Sequence, residues 1–251
     1  MHASCLHDKV AIVTGAARRN GMGRAIALEL AREGAAIVVC DFQRPEESQE
    51  LVVELQGLGV SAAWIDANVT EVAACRRIVA FAIDQFGRVD ILVNNAGHGV
   101  RQPLETISEA DYDFQLNLHL KGPFFLIQSV VPHMRVAGGG RIVNISSELA
   151  YTGCRDLSHY SAAKAGLRGL TKALALELAP NITLNTVCPG PTATDKFKSG
   201  PEFTDTNRDA LPLRRFGTAS DVARSVRFLV TSDGDAFTGQ TLDPNCGAVM
   251  N

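Results

Sequence analysis

Six short runs of β-branched and aliphatic residues recur along the chain, and longer stretches whose apolar residues keep helical spacing lie between them. The runs are VAIVT (10 to 14), AIVVC (36 to 40), SAAWID (61 to 66), DILVN (90 to 94), RIVNIS (141 to 146) and ITLNTV (182 to 187). Helical patterns fall at 23 to 33, 46 to 57, 70 to 86, 108 to 135, 160 to 179 and 219 to 231, ahead of a last strand near 239 to 243. Strands that are apolar throughout are buried on both faces, and a parallel pair needs a crossover of about a dozen residues or more, which a helix supplies. The pattern predicts an α/β chain: one doubly wound, Rossmann-like domain over 1–251, with a mostly parallel sheet of about seven strands flanked by helices. Eight units would point to a barrel. About seven are present and the glycine-rich turn follows the first strand, so an open sheet is expected.

Charge excludes several partner classes. The 24 basic and 27 acidic side chains leave a net charge of −3, too even for a nucleic-acid-binding surface. The six cysteines (Cys5, Cys40, Cys75, Cys154, Cys188, Cys246) are widely spaced, with no C-x-x-C, as reduced thiols in a cytoplasmic protein would be. The six histidines lack paired ligand spacing, so no metal is expected. No segment approaches the roughly 20 apolar residues of a membrane span. A cytoplasmic address without membrane or nucleic-acid partners is the expectation.

After the first strand comes TGAARRNGMGRAIALELA, with Gly15, Gly21, Met22 and Gly23 in the turn and an apolar helical stripe from Ala25. Glycine lets backbone N–H groups approach a pyrophosphate with no Cβ in the way, and the following helix presents its positive end to the anion. Asp41 closes the second strand, where an acidic side chain in such a fold accepts hydrogen bonds from an adenosine ribose. A 2′-phosphate facing that carboxylate at about 4 Å would cost on the order of several kcal/mol, so NAD is preferred over NADP. Arg18, Arg19 and Arg44 leave NADP open, because a guanidinium fork can hold that phosphate.

Further along stand NNAG (Asn94 to Gly97), Asn117 in LNLHLKG, NISS ending at Ser146 and Ser147, and YSAAK from Tyr160 to Lys164. Taken together, from TG at 14 and 15 to the closing TGQTLDPNCG, these motifs resemble the compact form of the short-chain dehydrogenase/reductase family. On a helix, residues four apart share a face, so Lys164 lies beside the base of Tyr160. An ammonium at about 5 Å is expected to lower the phenol by about two pKa units, letting Tyr160 act as general base in oxidation and general acid in reduction. Ser147 then orients the substrate oxygen; Ser146 alternates to the other sheet face. The resemblance implies that Lys164 grips the nicotinamide ribose and Asn117 holds a water in a proton relay. It also implies cofactor contacts at Asn95, Ala96 and Gly97, at Pro189 and Gly190, and at Thr194, with Thr192 as a substitute.

Three departures from the family pattern stand out. Five residues separate Gly15 from Gly21 where three are common, so the loop must bulge. At the adenine contact, Asn68 before Val69 replaces an aspartate, and DPNCG replaces a more glycine-rich ending. Residues 195 to 213 are polar and lack a core period, which fits a substrate lid.

The resemblance implies an oxidoreductase passing hydride between a nicotinamide cofactor and a small secondary alcohol or ketone, assembled as a homotetramer or dimer. The alternatives are an NADPH-dependent 3-oxoacyl thioester reductase and a cofactor-binding regulatory protein without turnover. Intact Ser147, Tyr160 and Lys164 argue against the last, and a short C-terminal part argues against an epimerase or dehydratase. For a carrier-bound substrate, the 160 to 179 helix offers only Arg168 and Lys172 as a basic patch.

Overall fold

Seven strands form one sheet: β1 (Val10–Thr14), β2 (Ala36–Asp41), β3 (Ala62–Asp66), β4 (Ile91–Asn94), β5 (Gly140–Ile145), β6 (Ile182–Val187) and β7 (Thr241–Leu242). Their order is β3-β2-β1-β4-β5-β6-β7, and every neighbouring pair is parallel. This computed structural model describes residues 5–194 and 203–250. The helices are α1 (Met22–Arg32), α2 (Pro45–Gly57), α3 (Val72–Phe86), α4 (Glu109–Leu116), α5 (Gly122–Val136), α6 (Leu149–Thr152), α7 (Ser158–Leu178), α8 (Asp205–Ala210) and α9 (Ala219–Val230).

Strand parity explains why both sheet faces are apolar. Ala11 and Val13 of β1 join Ile26 and Leu30 of α1 and Val222 and Val226 of α9 in one core. Val10 and Ile12 point the opposite way, into a second core with Ile78 of α3 and Leu126 and Ile127 of α5. Each strand residue thus meets a helix on its own side, the consequence of period-two side chains in a sheet covered on both faces.

The single helix expected over 108 to 135 is interrupted. Residues Asn117–Lys121 form a π-helical turn in which Gly122 N–H donates to the Asn117 carbonyl. Pro123 supplies a physical reason, since it has no N–H to offer the carbonyl of His119 and the α-helical ladder cannot continue through it. Gly122 also passes so close to β3's outgoing loop that a Cβ there would lie 2.6 Å from the Val69 carbonyl oxygen. Of the expected lid, 195 to 202 lies outside the described residues; the remainder holds α8, capped by Thr204 Oγ1, which accepts from Asn207 N–H at 3.1 Å. Among the described residues, no helix is long and apolar enough to cross a membrane.

Candidate active site

Between β1 and β4 the strand order reverses, and there the carboxyl ends of the strands open a cleft of about 380 Å³. Gly15, Arg18, Gly21, Met22, Gly23 and Asp41 line one side of it, and Asn95, Ala96, Gly97 and His98 the other. Asn68, Val69 and Thr194 complete the wall. The bulge forced by the two additional loop residues is absorbed by a turn in which Gly21 N–H donates to the Arg18 carbonyl at 2.9 Å. Gly15 has φ +64°, and a Cβ on it would lie 2.7 Å from Ala96 Cα, so the turn closes directly onto the Asn95–Gly97 loop.

That loop is held by its own side chains. Thr14 Oγ1 accepts from both Asn95 N–H and Ala96 N–H at 3.0 Å, and Asn95 Nδ2 donates to the Thr14 and Gly15 carbonyls at 2.8 and 3.0 Å. The Asn95 amide oxygen is buried with no hydrogen-bond partner. A dinucleotide fits these residues: glycines keep the backbone open, and an acceptor remains beside the cleft. Asp41 braces the glycine turn. Its Oδ2 accepts from Ala17 N–H at 2.7 Å and its Oδ1 from Phe42 N–H at 2.9 Å, and burial raises its pKa while these bonds oppose the rise. Ionised carboxylate oxygens have further lone pairs for ribose hydroxyls.

Several of the expected contact residues have partners elsewhere in the fold. Arg19 turns outward and pairs with Glu50 at 2.6 and 3.0 Å, so it does not line the cleft. Asn68 Oδ1 is engaged by Thr70 N–H and Oγ1 at 3.1 and 2.9 Å, and its amide donates to Glu71. Asn68 therefore shapes the entry to α3 as well as the cleft wall. Pro189 and Gly190 lie outside the lining: the Pro189 carbonyl accepts from Glu148 N–H at 3.1 Å, and a Gly190 Cβ would lie 2.8 Å from Asn245 Cα in the C-terminal tail. Thr192 turns back to donate to the Gly190 carbonyl at 2.8 Å, which leaves Thr194 as the threonine on the cleft. The proline and cysteine of the unusual ending are accommodated there, with Cys246 taking φ +57°.

At the other end of the cleft, β5 and α7 are joined by a reciprocal pair of bonds. Ser146 Oγ donates to the Lys164 carbonyl at 2.9 Å, and Lys164 Nζ donates to the Ile145 carbonyl at 2.6 Å. A buried polar rung reinforces the junction: Asn94 donates to Asn144 at 2.8 Å, Asn144 to Thr171 at 3.0 Å, and Thr186 to Thr171 at 3.0 Å. Ser147 faces the phenol of Tyr160, whose hydroxyl it meets as a hydrogen-bond partner, and its Oγ also accepts from Leu149 N–H at 3.2 Å.

Electrostatics at this junction reverse one expectation. Burial pushes the Tyr160 phenol up to about 12, while the Ser147 hydrogen bond pulls it down and the Cys188 and Glu148 charges add to the rise. Burial likewise lowers Lys164 to about 8. Nζ stands 5.8 Å from the Tyr160 ring centroid and is already committed to Ile145, so desolvation outweighs the attraction between ammonium and phenolate. A phenol in this state is protonated at neutral pH, as a general acid must be.

The residue brought to Tyr160 is His119, buried, with its ring edge-on at 5.0 Å between centroids and 90° between planes.

Glu148, directly after Ser147, has its Oε2 buried with no partner, and burial raises its carboxyl to about 7. Between the unfolded value of 4.5 and about 7 the native chain holds a proton that the unfolded chain releases. Stability from this group is therefore full below 4.5 and lost as pH rises through about 7. Glu148→Gln is expected to raise the unfolding free energy at pH 8 by about 1–2 kcal/mol, after discounting for partial exposure, and to change little near pH 4. Urea unfolding at both pH values checks this.

A cleft that fits a dinucleotide, with a buried serine and lysine and a half-buried tyrosine beside it, defines a class: an NAD(P)-dependent oxidoreductase acting on CH–OH groups. The family model described as enoyl-(acyl carrier protein) reductase matches residues 15–248. A 3-oxoacyl-[acyl-carrier-protein] reductase, FabG, of Staphylococcus epidermidis is 38% identical over 245 residues, 97% of this chain and 100% of that one. Among solved structures, a short chain dehydrogenase from Burkholderia cenocepacia in complex with NADP superposes with a TM-score of 0.92 at 36% identity, covering 97% of this chain and 99% of that chain. A blue fluorescent protein from a metagenomic library in complex with NADPH gives a TM-score of 0.91 at 36% identity, covering 98% and 100%. The chain belongs to the short-chain dehydrogenase/reductase family.

Proposed function

We propose that the chain is an NADPH-dependent reductase of 3-oxoacyl thioesters, the reading held above as an alternative to a small-alcohol dehydrogenase. The observation that carries it is full-length similarity to FabG at 38% identity, with no large insertion or truncation. Within it, Tyr160 donates a proton to the substrate oxygen, Ser147 orients that oxygen, and Lys164 holds the ribose. Bound nicotinamide supplies the hydride. The 2′-phosphate is accommodated by Arg18, on the cleft wall, and by Arg44, whose Nε lies 3.9 Å from Asp41 Oδ1. Both guanidinium groups lower the pKa of Asp41, which is to say that they offset its negative charge.

We take the chain to be a single cytoplasmic domain that works as a homo-oligomer. Exposed Tyr112 and Phe114 on α4, Phe124 on α5 and Leu176 on α7 support the assembly. Arg168 gives little support to a carrier-docking patch, because its guanidinium stacks on the Tyr151 ring at 3.5 Å. A small acyl thioester is thus the minimal substrate.

Asp41 favours a second reading, an NAD-dependent dehydrogenase of small secondary alcohols. Steady-state assays with acetoacetyl-CoA and with simple secondary alcohols, each with both cofactors, separate the two. The expected result is kcat/KM for NADPH-driven thioester reduction at least about 100-fold above that for any simple alcohol or ketone. Turnover confined to NAD and secondary alcohols would establish the second reading.

A further inference from the structure

We infer that His119 is a positioning residue for the Tyr160 phenol, joining it to the loop that carries Gly97 and His98 along the dinucleotide cleft. The inference rests on the proposed role of Tyr160 and concerns a side chain outside the serine, tyrosine and lysine set.

Three observations converge. The imidazole meets the Tyr160 ring edge-on at 5.0 Å and 90°, within the range where aromatic pairs attract and fix each other's orientation. Its Nε2 lies 3.0 Å from the His98 carbonyl oxygen. A carbonyl only accepts, so this nitrogen carries the proton and the tautomer is set. Finally, a Cβ on Gly97 would collide with the imidazole, so the glycine and the histidine are matched in space. One buried side chain therefore touches both the wall of the cleft and the phenol. The π-helical turn that carries His119 follows from Pro123 and Gly122, so its placement is built into the helix. If the imidazole is removed, the phenol can rotate away from the substrate oxygen while the cleft keeps its other walls; misplacing a reacting group by about 1 Å costs up to about 100-fold in rate.

The test compares His119→Leu and His119→Gln with the parent chain, using acetoacetyl-CoA with NADPH for turnover and NADPH fluorescence titration for affinity. Glutamine reaches as far as Nε2 and donates to the same carbonyl; leucine keeps bulk only. Leucine is expected to lower kcat about 10- to 100-fold with the NADPH Kd within about twofold, and glutamine to recover to within about fivefold of the parent. A leucine variant within about twofold of the parent in kcat, a loss of affinity equal to the loss of kcat, or a glutamine variant no better than leucine would each overturn the proposal. Should the leucine chain not fold, His119→Ala takes its place. If the parent chain reduces no thioester, the functional reading falls by itself. The crystal structure of His119→Leu with NADPH then decides: a displaced Tyr160 ring supports the positioning role and an unmoved ring overturns it.

Discussion

Tyr160→Phe is expected to cut kcat about 1,000-fold while leaving nicotinamide affinity within a few fold, the scale of loss when a positioned acid is removed. The substitution deletes one oxygen and keeps the ring. The edge-on contact with His119 survives, and so does the bond from Lys164 Nζ to the Ile145 carbonyl, because neither involves the hydroxyl. What disappears is the proton. In the native chain burial holds the phenol near 12, so it is protonated across the neutral range and ready to donate in reduction. The pH profile follows from its neighbour. Lys164, lowered to about 8, is an ammonium below that value and neutral above it. Reduction is therefore expected to decline as pH rises through about 8. Oxidation needs the phenolate and, with the phenol held near 12, is expected to keep climbing to the top of the measured range. Stopped-flow and steady-state rates from pH 6 to 10 measure both limbs. Turnover of Tyr160→Phe within about tenfold of the parent would remove the phenol from the reaction.

The same junction shows what the sequence could and could not convey. Strand positions were readable to within one or two residues, because apolar runs such as VAIVT and ITLNTV have one stable use in a sheet covered on both sides. The Tyr160 and Lys164 pair was readable because helical spacing of four fixes a shared face. Their protonation was not. It depends on how much water the packed helix excludes and on what Nζ touches, and the Ile145 carbonyl is a contact between β5 and α7 that spacing along one helix does not reveal. The π-helical turn Asn117–Lys121 was hidden for a related reason. It adds a residue to the helical repeat and brings His119 to the Tyr160 ring, and only the conflict at Pro123 hints at it. Arg19 illustrates a third limit: three arginines near a glycine turn look equivalent in sequence, yet Glu50 on α2 draws one of them outward.

Asp41→Asn is the substitution expected to move cofactor choice most. A phosphate carrying −1.5 to −2 charges at about 4 Å from a carboxylate loses on the order of several kcal/mol at an effective dielectric near 20, before any cation intervenes. Arg18 and Arg44 intervene here, and Arg44 is shared, since it also pairs with Glu47 at 2.8 Å. Compensation is therefore partial, and removing the charge of Asp41 is expected to raise the NADPH-to-NADH ratio of kcat/KM about 30-fold, roughly 2 kcal/mol. Asparagine is the informative replacement because its amide oxygen can still accept from Ala17 N–H, the 2.7 Å bond that closes the lengthened glycine turn onto β2. Asp41→Ala would lose that bond too and mix a loop effect with a charge effect. Arg18→Ala is the reciprocal measurement, with the ratio falling. If Asp41→Asn leaves the ratio unchanged, the carboxylate does not face the ribose edge, and its work is confined to holding the turn.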